Sequence, residues 1–170
     1  MKAYKLFRKK HGKLYPLYVN ANEPVPVGEW IEAKPGEITE DGKVKSRLGK
    51  LAYRPGWHCS DRPIALHIGE KKNPKDKLPS FRPKDQVWAE VEVIDTVNWQ
   101  EEANKQGKNP RDKQLRFVPR HGFYEYKTNP NMYGVWIIAG NIKVNRILTD
   151  EEVIEANKDI ALDDLPRKVA

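Results

Sequence analysis

The chain has 170 residues and a formal charge of +7, from 31 Lys and Arg against 24 Asp and Glu. Its length suits a single domain with a sizeable core, and its five Trp, seven Tyr and four Phe exclude a disordered chain although 32 % of residues are charged. It has no long apolar run or signal-peptide core, and its lone Cys59 excludes an intrachain disulfide, so the expectation is a soluble cytoplasmic protein from a reducing compartment.

AYKLFR (3–8) and KLYPLYV (13–19) read as two strands around His11-Gly12, a hairpin signal, with Pro16 holding the second at an edge or bulge. A turn and a short extended piece around Trp30 follow. Residues 34–50 read as loop, with a possible small hairpin at Asp41-Gly42. LAYR (51–54) reads as a short strand stopped by Pro55-Gly56. Ser60 is placed to cap a short helix over Asp61–Ile68, with Gly69 as its stop. A long basic, Pro-rich loop comes next (71–84).

QVWAEVEVI (86–94) is the clearest strand. Alternation puts Val87, Ala89, Val91 and Val93 on one face and Trp88, Glu90 and Glu92 on the other. WQEEANKQ (99–106) reads as one or two helical turns and FYEYK (123–127) as a strand. GVWIIAG (134–140) and NIKVNRIL (141–148) read as a strand pair joined by a Gly140-Asn141 hairpin turn. Thr149 and Glu152 form a capping box for a C-terminal helix. The expected fold is one α+β domain over 1–160: a mainly antiparallel sheet, two or three short helices including the capped C-terminal one, and a frayed tail over 161–170.

Chemistry is less legible. The stretch YRPGWHCSDRPIALHIG (53–69) holds Arg54, Trp57, His58 and Cys59 after a Pro-Gly turn. In a functional reading Trp57 stacks on a base and His58 donates or carries a proton. In a structural one Trp57 covers the sheet, His58 bonds backbone and Cys59 is a small buried residue. A second stretch, RFVPRHGFYEYKT (116–128), brings together Arg120, His121, Tyr124 and Glu125, parts suited to metal-independent RNA cleavage and equally ordinary on a surface. The catalytic candidates are therefore His58, His121 and Glu125. The ligand-binding set is Arg54, Trp57, His58, Arg120 and Tyr124. The basic loops supply Lys71, Lys72, Arg111, Arg116 and Arg120 for nucleic acid. No metal motif, P-loop, dinucleotide fingerprint or hydrolase elbow occurs, so no metal and no cofactor are expected from motifs.

Taken together, AYRPGWHCSDRPIALHIG, VWAEVEV, FYEYKTNPN and GVWIIAGNIKVNRILTDEE resemble an uncharacterised domain of phage and bacterial mobile-element proteins, found alone or within very long polyvalent chains. The resemblance spans roughly residues 50–155 and implies a phage or mobile-element accessory protein. A looser likeness is to the ADP-ribosyltransferase fold, through Gly56-Trp57-His58, a short helix to Ile68 and the strand Val87 to Val93. It implies NAD as a ligand, His58 on its ribose and Glu125 as the carboxylate that orients the attacked carbon. Three expectations result. The leading one is binding of nucleic acid or a nucleotide in a basic, aromatic cleft between the 53–69 segment and Arg120-His121. The others are an ADP-ribosyltransferase-like enzyme or small ribonuclease, and a protein-interaction module that inhibits a host defence factor.

Overall fold

The computed structural model describes residues 1–161 and the backbone of 167–168. In chain order its strands are β1 (Lys2–Lys10), β2 (Lys13–Tyr15), β3 (Trp30–Glu32), β4 (Val44–Ser46), β5 (Gly49–Leu51), β6 (Trp57–Ser60), β7 (Phe81–Arg82), β8 (Gln86–Val93), β9 (Val97–Asn98), β10 (Gly122–Tyr126), β11 (Trp136–Ala139), β12 (Asn141–Ile147) and β13 (Arg167–Lys168). Its helices are α1 (Gln100–Asn104) and α2 (Asp150–Ala156), with a 3-10 turn at Pro110–Asp112. The expected frayed tail falls outside the described residues, apart from Ala161 and the 167–168 backbone, which pairs in parallel with β7.

β1 and β2 pair antiparallel through His11 and Gly12, both at positive φ, as a two-residue hairpin turn requires. β2 ends at Tyr15, before Pro16, and pairs only with β1 among the named strands. The main sheet runs β3-β12-β8-β1-β6-β11-β10-β9, antiparallel except for β9 against β10. β11 and β12 are separated in sequence by Gly140 alone, yet they lie four places apart in that order. The expected hairpin there does not form: β11 pairs with β6 and β10, and β12 with β8 and β3. The sheet instead curls until β11 runs on into β12 through a bend at Gly140, giving a barrel-like ring of β12, β8, β1, β6 and β11. One apolar core fills the ring, with Ala3 and Phe7, Cys59, Val91 and Val93, Ile137 and Ala139, and Ile142 and Val144 drawn from all five strands. Gly140 is needed because the Pro119 carbonyl occupies the place of a Cβ.

The helix expected over Asp61–Ile68 is also absent. Ser60 pairs with Trp136, and its hydroxyl donates to the Arg62 carbonyl at 2.6 Å instead of capping. Asp61 exchanges backbone and side-chain bonds with Val135, prolonging the strand, and the chain then passes through isolated turns to Ile68. The segment is fastened from outside by Arg62, which bonds the Asn157 side chain and Asp159, and by Asn157, fully buried, which donates to the Pro63 carbonyl. At α2 the Thr149 hydroxyl accepts from the Glu152 N–H and the Glu152 carboxylate accepts from the Thr149 N–H. LAYR is strand only as far as Leu51; residues 52–56 are irregular.

Candidate binding cavity

β1 and β6 share a single ladder pair, Tyr4 with Ser60, and then separate. The gap between them opens into a cavity of about 930 Å³. Its walls are the strand-to-turn stretch 51–58, the chain after β2 (16–25), residues 31–35 and the β4–β5 hairpin. Most of this wall is apolar, and its aromatic members include Tyr18, Tyr53, Trp57, Tyr126 and Trp136. A large, mainly apolar hollow with a few polar groups is the usual form of a small-molecule site.

Gly56 sets the approach. At φ 138 it adopts a backbone conformation that L side chains resist, and its Cα packs against Ile138. Beyond it β6 alternates, so Trp57 and His58 point to opposite faces rather than together. Trp57 packs on the barrel core and its indole N–H donates to the Ile31 carbonyl at 3.0 Å. His58 faces the other way, in register with Ile138. Its Nε2 lies 2.9 Å from the Arg54 carbonyl. A carbonyl only accepts, so the ring proton sits on Nε2 and Nδ1 is left as an acceptor. Burial, opposed by that backbone bond, holds the imidazole down at about 4, so His58 is neutral at physiological pH. Cys59 is buried in the barrel core and burial pushes its thiol up to about 11, which leaves it an unreactive thiol.

Arg54 is the polar centre of the wall. Its guanidinium carbon stands 4.4 Å from the centre of the Tyr126 ring and one terminal nitrogen donates to the Arg111 carbonyl. Its Nε–H is buried without an acceptor, as is the Trp136 indole N–H in the same wall. Arg116 stacks at 5.3 Å over Tyr53, which also borders the cavity. The structure thus brings Arg54 of the cavity wall against the 111–116 segment, distant in sequence, through the Arg111 carbonyl and through Arg116 on Tyr53.

Other candidates lie elsewhere. The cavity does not reach Arg120 or His121. Arg120 is exposed and pairs with Glu32 at 2.8 Å. His121 sits at positive φ in the turn before β10, its N–H donating to Asn141. Tyr124 is fully buried in a second core cluster with Leu115 and Ile138, and burial raises its phenol. The register His58–Ile138–Tyr124 puts His58 on the Tyr124 face of the sheet, and Glu125 is therefore on the opposite face. Glu125 is raised by burial and then by nearby Asp61, but it and His58 do not converge on one point. The short helix to Ile68 that the transferase likeness included is not formed, and His58 and Glu125 lie on opposite faces of the sheet. Lys71 and Lys72 are exposed on the loop before β7 and are not among the residues that line the cavity. Among the described residues no group of three or more ligating side chains could hold a metal ion. No helix among them is long and apolar enough to cross a membrane.

Three members of the site carry no sequence signal. Tyr126 and Trp136 stand in expected strands, where nothing in the sequence singles them out. Lys5 reads as an ordinary outward charge between apolar neighbours, but it is buried on the core face. Comparison with family models, with curated proteins and with solved structures gives no match.

Proposed function

We propose that the protein binds an anionic ligand with a planar aromatic part, of the nucleotide type, in the cavity beside β6. The observation that carries this is Arg54: a guanidinium laid on Tyr126 in an apolar wall, its Nε–H unsatisfied and none of the ion pairs among the described residues engaging it. A buried donor without an acceptor costs about 1–3 kcal/mol, which a bound anion would relieve after a small shift of the wall. The aromatic lining suits the flat part of such a ligand and Arg54 its charge.

A second reading extends the first. Arg111 and Arg116 are exposed on the segment whose Arg111 carbonyl accepts from Arg54, and Arg116 stacks on Tyr53 of the wall. A single strand could run its phosphates over these two arginines and place a terminal base in the cavity. This is the form the expectation of nucleic-acid binding takes on this fold.

The test is calorimetric titration with mononucleotides and short single strands, using wild type and Arg54→Gln. The expected result is binding that weakens about tenfold or more in the variant. Equal affinity in both proteins would remove the reading. Binding of strands but not mononucleotides, fading steeply with salt, would favour the second form.

A further inference from the structure

Lys5 lies on the face of β1 that carries Ala3 and Phe7, and only 7 % of it is exposed. It borders the cavity where β1 and β6 part. There the His58 carbonyl has lost its ladder partner, and Lys5 Nζ donates to it at 3.1 Å. The same nitrogen stands 5.4 Å from the centre of the Phe7 ring and 5.8 Å from that of Trp57. Among the described residues no carboxylate pairs with it, and the one ionisable neighbour that acts on it is the Cys59 thiol, itself protonated. A buried ammonium with two aromatic rings, one carbonyl and no counter-ion is poorly compensated for its lost hydration. Burial accordingly holds Lys5 below the ordinary lysine range, toward the neutral, nucleophilic amine.

We propose that Lys5 is a carbonyl-reactive amine that captures an aldehyde admitted to the cavity as an imine. The Nζ lone pair forms a bond to the carbonyl carbon, and a proton moves from nitrogen to the former carbonyl oxygen to give a carbinolamine. The carbon–oxygen bond then breaks, and both N–H hydrogens leave with that oxygen as water, so no oxidant or reductant takes part. The apolar walls favour an aldehyde on an aromatic body, and Arg54 favours one that also carries a carboxylate or phosphate. The inference rests on the preceding reading only in taking the cavity to admit such ligands.

The experiment uses the full native chain with limiting 4-formylbenzoate at pH 7. Sodium cyanoborohydride traps the imine, and fragment ions in peptide mass spectrometry separate Lys5 from the amino terminus. The expected result is labelling of Lys5 at least tenfold above every exposed lysine, reduced to the common level when the protein is first unfolded in urea. Labelling of exposed lysines with Lys5 untouched would overturn the proposal. Nucleotide affinity without Lys5 labelling removes the imine alone. Lys5 labelling without nucleotide affinity removes the nucleotide alone.

Discussion

A histidine ring with one nitrogen against a backbone carbonyl and its remainder in an apolar wall is costly to protonate. His58 is such a ring, held at about 4 by burial, whereas an unfolded chain titrates near 6.5. Between those values the unfolded state binds more protons, so the stability this residue contributes is complete above about pH 6.5 and is lost as pH falls toward 4. From pH 7 to pH 5 the loss is about 2 kcal/mol. His67, lowered in the same direction by burial, adds to it. Urea unfolding at the two pH values should show the wild-type midpoint falling, and His58→Gln should flatten that fall. A wild-type stability that stays level from pH 7 to pH 5 would mean the ring is open to solvent. At this scale the sequence was half informative. Part of the stretch 53–69 lines the cavity, and strand alternation separates His58 from Cys59. The tautomer, the depressed basicity and the burial of Lys5 depend on strands far away in sequence.

At the scale of elements, local signals held where the residues that carry them have no competing partner. Val87 through Val93 alternate as read, with Ala89, Val91 and Val93 in the barrel core and Trp88 in a separate apolar cluster with Leu6 and Leu148. The signals misled where long-range pairing took the same atoms. Ser60 and Asp61 look like a helix start, but Ser60 pairs with Trp136 of β11 and Asp61 bonds Val135 just before it. Gly140-Asn141 looks like a hairpin turn, yet the glycine serves a close approach to Pro119 and the chain bends from one part of the sheet to another. Gly140→Ala tests that account. Its methyl would collide with the Pro119 carbonyl, so we expect a loss of about 1–3 kcal/mol and a fall in Tm of several degrees. An unchanged Tm would show that the bend has room and that Gly140 is there for another reason.

For the molecule as a whole, the excess of Lys and Arg leads to the expectation of an anionic partner on the basic loops and in a cleft between the 53–69 segment and Arg120-His121. Arg54 lines the cavity and bonds the Arg111 carbonyl, Arg116 stacks on Tyr53 of the wall, Arg120 is engaged with Glu32, and Lys71 and Lys72 are not part of the lining. No sequence pattern announces the cavity, because it arises where β1 and β6 fail to continue their ladder and chain from four separate stretches covers the gap.

Its occupancy can be read most directly from the tryptophan indole N–H signals of isotope-labelled protein titrated with a mononucleotide. Trp57 and Trp136 line the cavity and Trp88 is buried behind Leu6 and Leu17 of its wall, whereas Trp30 lies under Lys143 at the sheet edge and Trp99 bonds the Arg120 carbonyl. A ligand in the cavity shifts the Trp57 and Trp136 signals and leaves those of Trp30 and Trp99 in place. Shifts confined to Trp30 or Trp99, or none at ligand excess, would contradict a binding site between β1 and β6.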